Sequence, residues 1–218
     1  MIQKKLITKN YTNNFMEKYI LSFDISTTNV GCSLWYDNGK LIELKHLGLK
    51  SDKETLVDNR DILKAEQFKE FCITYKQRIE DELNGEITHI FVEAPLQNTP
   101  ININTTALLL GFNGIARYVL FQVFGLMPYK ISVHDCRKLF CPELVKTSYR
   151  KGEKVETLTF PEAYKKDKKL YIWEKVAKLE PQIEWFYTKN NTLKDICFDM
   201  SDSYAVGIAG LKTLNILK

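Results

Sequence analysis

Four carboxylates stand where an apolar core would ordinarily exclude them. Asp24 lies between Phe23 and Ile25 in the run YILSFDIS, and Glu93 follows Ile90, Phe91 and Val92. Asp199 and Asp202 are three residues apart at the head of the C-terminal apolar segment, a spacing that puts both on one side of a helical turn. Charged side chains enter an interior only when they are paired or hold a metal. Singly, each has a plainer role: Asp24 as a turn or phosphate-loop acid, Glu93 as a strand-end surface acid, Asp199 or Asp202 as a helix cap. Together they point to a shared site. At ~4 Å and an effective dielectric near 20, each like-charged pair costs about 4 kcal/mol, and divalent cations remove that cost. Oxygen-only ligands favour Mg²⁺ or Mn²⁺ over zinc. Two such ions about 4 Å apart can drive phosphodiester hydrolysis.

A second set of residues is basic. Between Lys146 and Lys178 the chain carries ten Lys or Arg against five Asp or Glu, although its net charge is only +4. The remainder is therefore slightly acidic, and the basic segment is a candidate nucleic-acid surface or a solvated helix face. Lys146, Lys165, Lys166, Lys168 and Lys169 lie in this segment, and Arg137 and Lys138 stand shortly before it. Trp173 and Trp185 are read as packing groups rather than base-stacking ones. Five cysteines, with no C-x-x-C pair, argue for buried free thiols in a reducing compartment. His134, Cys136 and Cys141 lack a fourth zinc ligand at a familiar spacing.

These groups need elements to hold them. Residues 19–26, 30–36 and 40–49 read as three antiparallel strands, with Asp37-Asn38-Gly39 as a hairpin turn. Residues 56–83 have helical spacing closed by Asn84-Gly85, and 88–92 form a strand ending at Glu93. Residues 104–124 predict a helix that is apolar nearly all round, hence buried in the core or in a dimer interface. A fifth strand spans 128–133, and Ser132 to Asp135 has a capping-box pattern that opens a helix. Residues 142–164 read as a loop or insertion, 165–179 as an amphipathic helix, and 199–217 as the final helix. The expected class is α/β, a five-stranded mixed sheet with helices on both faces. Asp24 and Glu93 meet if the first and fourth strands are neighbours.

The length of 218 residues, with 44% apolar and 27% charged composition, suits one globular domain over 19–218. The Lys/Asn-rich residues 1–18 are expected to be a flexible extension. They lack the apolar core of a signal peptide. The most apolar run, 107–127, is broken by Asn113, Arg117 and Gln122. A cytoplasmic protein with no membrane partner is expected.

The motifs carry a family resemblance. FDISTTNVGCSLW resembles the first strand and turn of RuvC-type Holliday junction resolvases, and THIFVEAP is similar to their strand ending in a catalytic Glu. ALLLGFNGIARYVL resembles the helix that follows, and DMSDSYAVGIAG the closing D-x-x-D-(small)-x-A helix. The likeness covers roughly residues 19–140 and 165–215, and the order of the four motifs is its specific part. It implies an RNase H-like fold with Asp24, Glu93, Asp199 and Asp202 as catalytic, metal-binding acids. It also implies a homodimer, joined through helix 104–124, that cleaves four-way DNA junctions with Mg²⁺ or Mn²⁺. Lys165, Lys166, Lys168 and Lys169 at the start of helix 165–179 would contact phosphates, with Arg137, Lys138 and Lys146 as further candidates. The chain departs from the family in the 142–164 insertion, in its N-terminal extension, and in Leu96, where the bacterial family has a junction-wedging aromatic. Low Gly and Pro with abundant Lys, Asn and Ile suit an AT-rich genome, so a phage or viral branch fits. Two other readings use the same residues. One is an RNase H-like nuclease acting on RNA–DNA hybrids or structured RNA. The other is an actin-like or sugar-kinase-type phosphotransferase, because DISTTNVG also resembles the first phosphate loop of that superfamily. For the latter the chain is short of two domains and has no second Gly-rich loop.

Overall fold

Alternation along one strand divides the molecule in two. In β1 (Glu17–Ile25), Tyr19, Leu21, Phe23 and Ile25 point to one side of the sheet, while Ile20, Ser22 and Asp24 point to the other. A computed structural model describes residues 16–51, 59–95 and 103–218. β1 pairs antiparallel with β2 (Asn29–Tyr36), which pairs antiparallel with β3 (Leu41–Gly48). On its other edge β1 runs parallel to β4 (Gly85–Ala94), and β4 runs parallel to β5 (Tyr129–Ser132). The sheet order is β3-β2-β1-β4-β5, so the first and fourth strands are neighbours as the acids require.

One side is covered by α1 (Arg60–Asp81) and α2 (Ile103–Phe124), which pack on each other and on β4. Phe68, Cys72, Ile79, Phe112, Ala116 and Leu120 close that core against Phe23 and Ile90. The other side holds α3 (Val133–Phe140), α4 (Lys168–Leu179) and α5 (Ile196–Thr213). α5 lies across β1, β2, β3 and β4 and is the most deeply buried helix of this face. It comes close because two of its residues have no side chain. A Cβ on Gly207 would overlap the Trp35 indole and stand 2.7 Å from the Ser22 hydroxyl, and one on Gly210 would overlap the Phe91 ring. Beneath it, buried Ser22 and Ser33 are hydrogen-bonded to each other. The Trp35 indole donates to both, at 3.1 and 2.9 Å, and Ser33 donates to the Ser203 carbonyl of α5 at 3.0 Å. These bonds leave that polar patch satisfied under the helix.

Several boundaries differ from expectation. β1 starts at Glu17, inside the expected extension, of which residues 1–15 lie outside the described residues. α5 starts at Ile196, three residues before Asp199, after Asp195, a favoured N-cap residue type whose side chain here makes no cap bond. α4 starts at Lys168 rather than 165, because the Asp167 side chain accepts from the Leu170 N–H at 3.1 Å and caps the helix. The expected loop over 142–164 is a folded hairpin, β6 (Val145–Arg150) and β7 (Glu153–Leu158), flanked by short 3₁₀ turns. Leu96 and residues 56–58 lie outside the described residues.

The apolar helix α2 is buried along one face and open along the other. Phe112, Ala116, Val119 and Leu120 are in the core, whereas Leu108, Leu110, Ile115, Tyr118 and Phe121 are exposed. By length and composition, Thr106–Phe124 could cross a membrane. The core helix of a globular domain passes the same test, and the buried face of α2 packs on α1 and β4. All five cysteines are free and buried.

Candidate active site

Strand register brings the first two acids together. Phe23 of β1 pairs with Val92 of the parallel β4, so Asp24 and Glu93 come next, side by side at the carboxyl ends of both strands and on the α5 face. Their carboxyl groups are within hydrogen-bonding reach of each other. Asn113 of α2 donates to the Glu93 carbonyl at 3.3 Å and fixes that strand end from the opposite side. Across β1 and β2, Asp24 pairs with Gly31, whose missing side chain admits the first turn of α5. That turn presents Asp199 and, one turn on, Asp202.

Asp24, Asp199 and Asp202 are 8%, 8% and 4% exposed. Burial and then the neighbouring Asp202 push the Asp24 carboxyl up to about 7. Burial and then Asp24 raise Glu93 well above the usual carboxylate range. Burial also raises Asp199, with Lys169 opposing and Asp202 adding to the rise. The excess negative charge is thus held partly by bound protons.

The rest is balanced by one lysine. Lys169, in the first turn of α4, puts its ammonium 3.4 Å from Asp199 and 3.2 Å from Asp202. Burial disfavours its charge, but Asp202, Asp24 and Asp199 outweigh that and raise its pKa. On the other flank, the Arg137 guanidinium of α3 opposes the rise at Glu93, and its buried Nε has no hydrogen-bond partner. Two of the seven predicted basic residues therefore face the acids.

The others spread outward. Lys138 is tied to Glu156 of β7 at 2.7 Å, and Lys165 to Glu162 at 2.5 Å. Lys168 lies 5.8 Å from the Phe160 ring, and Lys146 is exposed on β6. Trp173 and Trp185 pack edge to face at 5.9 Å, consistent with a packing role. His134 is exposed while Cys136 and Cys141 are buried, and burial raises both thiols, which leaves no zinc shell. Sequence reasoning missed Gly31 and Asn113 as positioning residues. Asn113 had one visible signal, a polar side chain inside an apolar helix.

Among the described residues, no three His, Cys, Asp or Glu side chains are already arranged as a metal-ligand shell. Lys169 stands against Asp199 and Asp202, and the Asp24 and Glu93 carboxyl groups face each other. The donor set nevertheless fits a hard cation. It offers carboxylate oxygens only, from three rigid elements, and it holds more negative charge than one lysine neutralises.

Known structures share this arrangement of elements. T. thermophilus RuvC in complex with a Holliday junction substrate superposes over 92% of this chain and 98% of that one, with a TM-score of 0.53 at 10% identity. The chain has the RuvC fold. A second T. thermophilus RuvC structure covers the same shares at a TM-score of 0.48 and 11% identity. An Aquifex aeolicus Ppx/GppA phosphatase covers 74% of this chain and 64% of its own, at a TM-score of 0.36 and 12% identity. No family model and no curated protein sequence matches the chain.

Proposed function

We propose that this chain is a divalent-metal-dependent endonuclease that cleaves branched DNA, four-way junctions foremost, by phosphodiester hydrolysis. The observation that carries the reading is the convergence of Asp24, Glu93, Asp199 and Asp202, from β1, β4 and α5, on one side of a RuvC-fold sheet. The T. thermophilus neighbour was seen with a Holliday junction, which supports a branched-DNA partner.

The four acids would hold Mg²⁺ or Mn²⁺, two ions in all. When bound, the ions supply activation of an attacking water and neutralisation of charge at the leaving oxygen. The chain's own residues do the rest. The sheet ends and the α5 turn fix the carboxylates so that little reorganisation accompanies catalysis. Asp24 and Glu93, whose carboxyls are held above the usual range, would have to be ionised to act as ligands. Lys169 and Arg137 flank the acids and present cationic donors to the phosphate oxygens on either side of the scissile bond. Lys138, Lys146, Lys165, Lys166 and Lys168 extend that charge along the incoming backbone, giving affinity and salt dependence without sequence reading.

The exposed face of α2, with Leu108, Ile115, Tyr118 and Phe121, would join two copies, so that paired sites nick a junction symmetrically. Apolar exposure of this extent on one helix is what a dimer interface needs.

The test is direct. Purified protein with Mg²⁺ or Mn²⁺ is offered labelled four-way, three-way, flap, linear and RNA–DNA hybrid substrates. The four-way junction is nicked, and Asp24→Asn abolishes nicking while retaining junction binding. Nicking that survives Asp24→Asn removes the acid cluster from the chemistry. Preference for the hybrid selects an RNase H-like reading instead.

A further inference from the structure

The β6–β7 hairpin forms a two-stranded sheet of its own, separate from the main sheet. Its base is firmly seated. Leu144 and Phe160, which bracket it, are buried, Thr159 N–H donates to the Leu144 carbonyl at 2.8 Å, and Leu158 packs on the α5-side core. Glu156 ties it to α3 through Lys138 at 2.7 Å. Beyond that point it is in solvent: Lys146 through Arg150 and Glu153, Lys154 and Thr157 are all exposed. Its turn is tight and defined. Lys151 and Gly152 take φ of 50° and 84°, the doubly positive pattern that suits a two-residue hairpin connection.

An exposed two-stranded ribbon with no apolar face needs another reason for its composition. Cross-strand register puts Tyr149 opposite Lys154 and Arg150 opposite Glu153. Tyr149 is 74% exposed, the most exposed large apolar side chain among the described residues, and its ring contacts no other ring among them. Arg150 and Lys151 form no ion pair with a described residue, whereas Glu156 is held by Lys138 and Lys154. The far end therefore presents free cations around an unstacked aromatic ring. Tyr149 shares its face of the ribbon with Glu156, which is tied to α3, the helix whose Arg137 flanks Glu93. The ribbon thus rises from the rim of the acid cluster. Six residues of strand reach ~20 Å, the length of about six nucleotide steps along one strand of duplex. A two-stranded β-ribbon is also of a size to enter the major groove.

We propose that the β6–β7 hairpin is a DNA-gripping arm that enters a groove of the duplex beside the scissile phosphate, with Arg150 and Lys151 on the backbone and Tyr149 against the exposed base edges or sugars. The assignment rests on the nuclease reading above, because the acid cluster is what brings DNA to this rim. The arm holds one arm of the branched substrate at a distance from the site, adding affinity without taking part in the chemistry.

The experiment measures binding of the full chain, in EDTA, to a labelled four-way junction and to a linear duplex, by fluorescence anisotropy across a salt series. Arg150→Gln with Lys151→Gln weakens binding about tenfold and lowers the slope of log affinity against log salt by about two, one for each phosphate contact. Tyr149→Ala weakens binding several-fold and leaves the slope unchanged. Both variants melt at the wild-type temperature, since the replaced side chains are exposed. Unchanged affinity and slope in both variants, while the wild type binds DNA, overturns the arm and leaves the nuclease reading standing. Variants that alter self-association by light scattering but not DNA affinity assign the hairpin to a protein contact and equally overturn it. A folded wild type that binds none of these DNAs overturns both readings.

Discussion

Gly31 of β2 lies directly against the Asp199 backbone of α5. A Cβ built on Gly31 would overlap the Asp199 carbonyl and stand 2.9 Å from the Met200 nitrogen. The obstructing atoms are main-chain and cannot swing aside. Gly31 is also the register partner of Asp24, so one missing side chain sets the approach of α5 to the strand that bears the first acid.

Gly31→Ala is therefore expected to push the first turn of α5 off the sheet. Overpacking of this kind costs about 1–3 kcal/mol, read as a lower midpoint in urea unfolding. Junction cleavage should fall by about a hundredfold or more, since a shift of about 1 Å at a catalytic group has that effect. An alanine variant with wild-type cleavage would mean that α5 is not positioned by this contact.

The acid cluster makes stability depend on pH in a definite direction. Asp24 titrates near 3.8 when unperturbed and is pushed up to about 7 in the folded chain. Between those values the folded state binds more protons than the unfolded one, so this group's contribution is fully present below about pH 4 and is lost as pH rises through 7. Glu93 and Asp199 are shifted in the same direction. In EDTA, the melting temperature should fall between pH 5 and pH 8, and Asp24→Asn should flatten that fall. Added Mg²⁺ should raise it more at pH 8 than at pH 5. A melting temperature insensitive to Mg²⁺ at pH 8 contradicts a cation site here.

Lys169→Met removes the ammonium shared by Asp199 and Asp202. Because this lysine is 46% exposed, solvent screens part of its effect. A drop of about 2–4 °C in melting temperature is expected without divalent ions, the shift that accompanies roughly 1 kcal/mol in a chain of this size. Since the lysine competes with a cation for the same carboxylates, Mn²⁺ titrated calorimetrically should bind the variant more tightly. Weaker Mn²⁺ binding would make Lys169 a support of the site and not its competitor.

Tyr118→Glu tests the exposed face of α2. The side chain is 62% exposed, so the folded monomer should lose little stability, within about 0.5 kcal/mol. Light scattering should report a dimer for the wild type and a monomer for the variant. Junction nicking should become uncoupled between the two opposed strands.

Much of this site is legible in the sequence because charge is conspicuous against an apolar background. Asp24 and Glu93 each interrupt or end a run of buried strand residues, and Asp199 and Asp202 share a turn; alternation alone sends the first two to one face. The residues that make room are harder to see. Nothing local marks Gly31, because its role depends on a helix some 170 positions later in the chain. The hairpin at 145–158 escapes for a different reason. Its strands are polar on both faces, so no period-two pattern arises, and Lys151-Gly152 is not one of the asparagine–glycine or aspartate–glycine pairs that announce a tight turn. Sequence reading named Lys169 as a candidate phosphate contact, but only the packing of α4 against α5 brings it to the acids.

The sheet also acts as a bulkhead. Its α1–α2 side carries the unpartnered Tyr118 and Leu108, and its α5 side carries every one of the gathered carboxylates. If the proposed dimer and nuclease hold, substitutions on the outer surface of α2 would rewire how copies assemble without disturbing the chemistry behind the wall. Asn113 reaches through that wall, and its grip on the Glu93 backbone makes it a place where assembly and reactivity would change together.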